Sequence, residues 1–259
     1  MAAPHVVDLS DRDRAILSNL LRVRLLTGRQ LERLHFASLA TANARASDRR
    51  RVLGRLVKLK LITTLPRRVG GVRAGSAGLI YALDSRALRL RALWLDEPPR
   101  ETARIRRPWA VGWQFVQHTL DISELYIRLR ERERLSGDKL LHFETEPISW
   151  HRTGNGVLKP DAYAVYEAGR WEEHRWLEID RATESLPTVR RKLLGYLDAV
   201  AGAAPGPNGV MPQVLVTVSS ARRLDAVRSL LETLPPPADR LISVHCFNDV
   251  FGSPARPPP

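Results

Sequence analysis

The stretch LKPDAYAVYEAGRWEEHRWLEID, residues 158–180, holds the carboxylates whose spacing suits chemistry best. Two β-prone runs flank Ala168-Gly169, so the segment predicts a hairpin turning there, which sets Asp161 opposite Trp176. Side chains alternate along a strand, so Asp161, Trp176, Glu178 and Asp180 then share one face, with Leu177 and Ile179 on the other. Converging carboxylates are hard oxygen ligands for Mg²⁺ or Mn²⁺. An ion so held polarises a phosphodiester and lowers the pKa of an attacking water. The same residues also suit solvated acids on an edge hairpin. Glu172 and Glu173 show that this hairpin tolerates charge, and spacing alone favours that ordinary reading.

The elements that must position these residues alternate. A helix is expected over QHTLDISELYIRLRERER, a strand near LHFETEPISW, then the hairpin. A helix over PTVRRKLLGYLDAV, a strand QVLVTVS, a helix LDAVRSLLET and a strand LISVHCF follow. Helices interleaved with strands predict an α/β sheet.

The N-terminal half reads differently. Ser10 caps a first helix carrying Ile16, Leu17, Leu20 and Leu21 at helical spacing, and Thr27 caps a short second one, GRQLERLHF. Ser47 reads as the cap of a third, with Leu53, Leu56 and Val57 on its apolar face. A hairpin with a Gly-rich, Arg-bearing turn follows. Three helices and then a hairpin is the order of a winged helix-turn-helix. The boundaries expected are 8–95 for this domain, 96–110 for a Pro-rich charged linker, 111–252 for the α/β domain and 253–259 for a disordered tail.

Charge separates the halves. The net charge is +13, yet residues 1–110 hold 23 basic and 9 acidic residues, a net +14, and residues 111–259 are nearly balanced. A field gathered on one module attracts a polyanion, so double-stranded DNA is the expected partner. Arg51, Arg55 and Lys58 are expected on the open face of the third helix and Arg45, Arg49 and Arg50 near its start. Arg67, Arg68 and Arg73 on the hairpin would hold adjacent phosphates. Arginines at these spacings are also the usual dress of a solvated helix face.

One cysteine, Cys246, excludes an intramolecular disulfide and a cysteine-based zinc cluster. With no apolar signal core in MAAPHVVDLSDRDR and no run long enough to span a bilayer, a cytoplasmic protein without a membrane is expected.

Pro160-Asp161, then Glu178-Ile179-Asp180 after a hairpin, then a helix, resembles the PD-(D/E)XK nuclease core. Lys192-Leu-Leu-Gly-Tyr196 looks like the Q-x-x-x-Y helix motif of some members, with Lys for Gln. Glu124 stands where others add an acid. With WLEIDRATES, RRKLLGYL and QHTLDISELY, the chain from Leu9 to Phe251 resembles the replication-relaxation family of bacterial plasmids and integrative elements.

The resemblance implies a winged helix joined to a restriction-endonuclease-like α/β domain, acting on DNA in replication, relaxation or mobilisation. It implies metal binding by Asp161, Glu178 and Asp180. The chain departs from the motif where Asp180 occupies the E-x-K lysine position, leaving Lys192 or Arg181 to supply the missing positive charge. A nicking enzyme is one outcome. A winged-helix regulator whose second domain is inactive and mediates dimerisation or partner binding is another, and an adaptor for a relaxase or replication protein is a third.

Overall fold

A computed structural model describes residues 8–69, 72–91, 112–154 and 156–251. The expected linker, 96–110, the tail, 253–259, and the side chains of Arg67, Arg68 and Arg73 lie outside what is described. The chain is mixed α/β and divides into two compact units, Met1–Ser123 and Glu124–Pro259. Among the described residues no helix is long and apolar enough to cross a membrane.

In the first unit, α1 (Asp11–Val23) starts on a reciprocal capping box. The Ser10 hydroxyl accepts from Asp13 N–H, and the Asp13 carboxylate accepts from Ser10 N–H at 2.9 Å. After β1 (Leu26–Thr27), α2 (Gly28–His35) repeats the device with Thr27 and Gln30. Gly28 must lack a side chain, because a Cβ there would stand 2.3 Å from the Ser76 carbonyl oxygen.

The third helix, α3 (Ala42–Lys58), begins earlier than its sequence suggests. Thr41 caps it, accepting from Ala44 N–H at 3.1 Å, and Ser47 lies exposed within it. ANARA is a strong helix-forming run, so the helix extends back through it to the preceding cap. Ile16, Leu17, Leu20, Leu31, Leu53 and Leu56 are buried. The hairpin is β2 (Ile62–Arg68) and β3 (Leu79–Leu83), and β1 adds a third strand in the order β1-β3-β2. A short helix, α4 (Ser85–Arg89), follows.

The helix α5 (Trp113–Ser136) contributes residues to both units. The second unit is a five-stranded sheet of β4 (Leu140–Thr145), β7 (Ala162–Ala168), β8 (Trp171–Asp180), β9 (Gln213–Val218) and β10 (Ile242–Cys246). Its order is β10-β9-β8-β7-β4. Strands β4, β7 and β8 are antiparallel neighbours, while β8, β9 and β10 are parallel.

Parallel neighbours need crossovers, supplied by α6 (Leu186–Ala201) and α7 (Ala221–Glu232). A short helix, α8 (Ala238–Leu241), leads into β10. The α6 residues Val189, Leu193, Tyr196 and Leu197 pack with Tyr163, Val165, Trp176, Val214 and Val216. A separate two-stranded arm, β5 (His151–Thr153) with β6 (Gly156–Leu158), was not anticipated from sequence.

Candidate functional site

The hairpin that carries the acids turns one residue later than expected. Ala168 pairs with Trp171, so the two-residue turn is Gly169-Arg170, and Gly169 has φ +65°, as the first position of a type II′ turn requires. Ala162 pairs with Leu177, and one step further along the ladder Asp161 meets Glu178 rather than Trp176. Moving the turn by one residue slides the partner strand by two, which preserves the face. The expectation of a shared face therefore survives the error in partner.

Asp161 and Glu178 are both buried, Glu178 at 3% exposure. Asp161 Oδ2 accepts from Ile179 N–H at 2.7 Å, which fixes its carboxylate to the β8 backbone. On α6, Lys192 and Tyr196 are four residues apart and so project from one side of the helix. Lys192 Nζ donates to Glu178 Oε2 at 2.8 Å, and the Tyr196 hydroxyl donates to Oε1.

Burial, then the Asp161 charge beside it, pushes the Glu178 carboxyl up to about 7, against the pull of Lys192. Burial works against the Lys192 ammonium, but the charges of Glu178 and Asp161 outweigh it and raise its pKa. Burial followed by the Glu178 charge holds the Tyr196 phenol well above its usual value. Trp176, fully buried beside Tyr196 at 5.2 Å between ring centroids, carries an indole N–H with no hydrogen-bond partner among the described residues.

Asp180 takes another direction. Its Oδ2 meets Arg223 Nε of α7 at 2.8 Å and its Oδ1 accepts from Ala182 N–H at 2.6 Å. Arg223 was not singled out from sequence, since only the parallel crossover brings α7 to the end of β8. Glu124 pairs with Arg128 at 3.3 Å, one turn along α5, and Arg128 donates to the carbonyls of Phe247 and Val250. The structure thus gathers Asp161, Glu178 and Lys192, with Tyr196 as an unassigned fourth member. Among the described residues no group of three or more His, Cys, Asp or Glu side chains is disposed to hold a metal ion.

The expected basic face of α3 divides into two sets. Arg49 is 5% exposed, with its guanidinium on Glu32 and on Ser76 Oγ at 3.2 Å, so it binds α2 and the segment between β2 and β3 to α3. Arg45 donates to the Leu39 carbonyl at 2.8 Å. Arg55 pairs with Asp13 of α1. Arg51 pairs with Asp48 one turn back, and Arg12 reaches the same carboxylate at 2.6 Å. Arg51, by its hydrogen bond, and Arg12 outweigh the effect of burial and hold Asp48 below the usual carboxylate range. Arg50 and Lys58 are exposed and have no carboxylate partner among the described residues.

Two histidines of the sheet contact neighbouring side chains, His174 across strands to β7 and His142 along its own strand β4. The Tyr163 hydroxyl is 2.7 Å from His174 Nδ1, and His142 lies 3.2 Å from Glu144.

A family model described as replication-relaxation matches residues 17–214, well over half of the chain and spanning α3, the acid hairpin and α6. No curated protein and no solved structure matches it.

Proposed function

The chain belongs to the replication-relaxation family, and on that premise we propose a duplex-DNA-binding protein of plasmid or mobile-element replication or relaxation whose α/β unit is a metal-dependent phosphodiester-nicking site. Three helices followed by a hairpin, with β1 as a third strand, support a winged-helix reading of the first unit. The α3 cations that no carboxylate among the described residues holds, Arg50 and Lys58, are its first contacts with DNA, with Arg51 beside them. Arg45, Arg49 and Arg55 act behind them by holding the helix in place.

For the second unit, a mixed sheet with crossover helices supports a nuclease-like core. The observation that carries the catalytic reading is the Lys192 ammonium 2.8 Å from Glu178, with Asp161 paired opposite Glu178. A buried carboxylate next to a second one is costly, and such unfavourable pairs collect at functional sites. Asp180, at the E-x-K lysine position, is turned to Arg223, and Lys192 brings positive charge to the acids from the next helix instead.

Two facing carboxylates fit a hard divalent cation, since Mg²⁺ is commonly held by one or two carboxylates with waters and substrate phosphate completing its shell. Asp161 and Glu178 would hold it. Bound there, the ion would supply Lewis-acid polarisation of a phosphodiester. Asp161 stays oriented by Ile179 N–H, Lys192 balances charge developing on phosphate, and Tyr196 fixes the rotamer of Glu178.

Supercoiled plasmid incubated with the protein and Mg²⁺ or Mn²⁺ should give nicked circles, and Asp161→Ala should abolish them while leaving duplex binding intact. A specific observation favours a second reading, that of a regulator with an inactive second unit. Both Glu178 oxygens already have donors, Lys192 and Tyr196, so the network can stand as a closed structural one. Intact plasmid across both metals, with duplex binding retained, would select that reading.

A further inference from the structure

The β5–β6 arm uses its two faces differently. His151 pairs with Leu158 and Arg152 with Val157, and one step further Trp150 meets Lys159. His151 and Leu158 turn inward. Leu158 is buried with the α6 core, and His151 stands 5.9 Å from the Trp176 ring with Nε2 2.7 Å from the Pro205 oxygen. By alternation the outward face carries Trp150, Arg152, Val157 and Lys159. All four are exposed, Trp150 at 42% and Val157 at 47%.

Lys159 Nζ lies 4.9 Å from the Trp150 ring centroid. Residues 147–160 include no acid, so the arm itself offers an indole and two cations and no carboxylate. The base of the arm is tied to the acid site. Ser149 Oγ donates to the Pro160 carbonyl at 2.7 Å, and Glu146 N–H donates to the Asp161 carbonyl at 3.0 Å.

From this we infer that the outward face of the β5–β6 arm is a binding site for single-stranded DNA, Trp150 stacking an unpaired base and Arg152 and Lys159 gripping the flanking phosphates. An indole beside cations on an open surface suits an unstacked base, because every base presents a π-face and carries a phosphate with it. Paired bases in a duplex hide those faces. Resting on the nicking reading above, the arm makes unwound or nicked DNA the substrate class of that site, with the displaced strand held next to Asp161.

The test uses the full chain in EDTA, with a fluorescein-labelled oligothymidine and a duplex of equal length read by anisotropy. Trp150→Ala should weaken single-strand affinity about tenfold, the effect of losing one stacked base, and Trp150→Phe should restore most of it. Arg152→Ala with Lys159→Ala should flatten the salt dependence of single-strand binding by about 1.4 in log–log slope, from two phosphates. Duplex affinity and melting temperature should not change.

Unchanged single-strand affinity in all three variants overturns the inference, as does an equal loss for duplex and single strand. The plasmid assay separates it from the catalytic reading. Absent nicking with the Trp150→Ala loss intact overturns only the nuclease, whereas nicking with unaltered Trp150→Ala binding overturns only the arm.

Discussion

Each unit sends a cation from a helix onto a buried carboxylate, and the two arrangements differ in what surrounds the acid. In the first unit Arg55 of α3 meets Asp13, which is fully buried and receives Ser10 N–H and Oγ through the same oxygen. Asp13 works for the fold, closing the first turn of α1 and tying it to α3. In the second unit Lys192 of α6 meets Glu178, but Asp161 stands opposite, and the like charge raises the cost of ionising Glu178. A device serving stability alone gains nothing from a second acid. One ion pair therefore reads as architecture, and the other, with its second acid, is where the proposed chemistry would sit.

The largest effect that would sharpen this contrast is on the second unit. Lys192→Ala leaves Glu178 and Asp161 buried without a cation and should cost about 3–5 kcal/mol, read by urea unfolding. Lys192→Met with Glu178→Gln removes the buried pair as a whole, leaving only the Asp161 carboxylate on its Ile179 N–H, and should recover most of that. If Lys192→Ala alone were harmless, the contrast would collapse.

Arg49→Ala should cost about 2 kcal/mol, since the buried guanidinium bonds both Glu32 and Ser76. Asp13→Ala should cost about 1–2 kcal/mol through the lost helix cap, with no change in plasmid nicking.

A smaller effect is the pH dependence. Glu178 holds its proton more firmly folded, at about 7, than at the ordinary value of 4.5, so between those values the folded state carries more protons than the unfolded one. Stability should then fall as pH rises from about 4.5 through about 7, and Glu178→Gln should lack that segment of the profile. Because Lys192 opposes the shift, Lys192→Met should carry the decline to higher pH. A wild-type profile flat over this interval would contradict the buried-pair reading.

Smallest in stability are Arg50→Ala and Lys58→Ala, which should leave the melting temperature unchanged. Each should lower the salt slope of duplex binding by about 1 if it contacts a phosphate. Arg49 and Arg50, adjacent in sequence, thus have opposite expected effects, one on folding and the other on DNA affinity.

Most elements were legible because their signals are local. Capping side chains at Ser10 and Thr27, the apolar periodicity of α1 and α6, and the β-prone runs of β7 and β8 around a glycine turn all act within a few residues. Failures came where local signals compete. Ser47 resembles a cap, yet ANARA carries the helix past it to Thr41. Gly169 can sit at either central position of a two-residue turn, and only the observed pairing places it first. The β5–β6 arm escaped notice because strands of three residues are too short to show a period.

By itself the sequence determined the order of the longer helices and strands, the concentration of positive charge in residues 1–110 and the common face of the hairpin acids. These follow from side-chain periodicity and composition, which need no knowledge of distant neighbours. Tertiary structure decided that Asp161 faces Glu178, that Lys192 approaches them while Asp180 turns to Arg223, and that Arg49 is buried on Glu32 while Arg50 is exposed. Those outcomes depend on register and on crossovers joining segments far apart in the chain. A charge's partner is set by which segments come to lie against it, and no spacing along one segment encodes that.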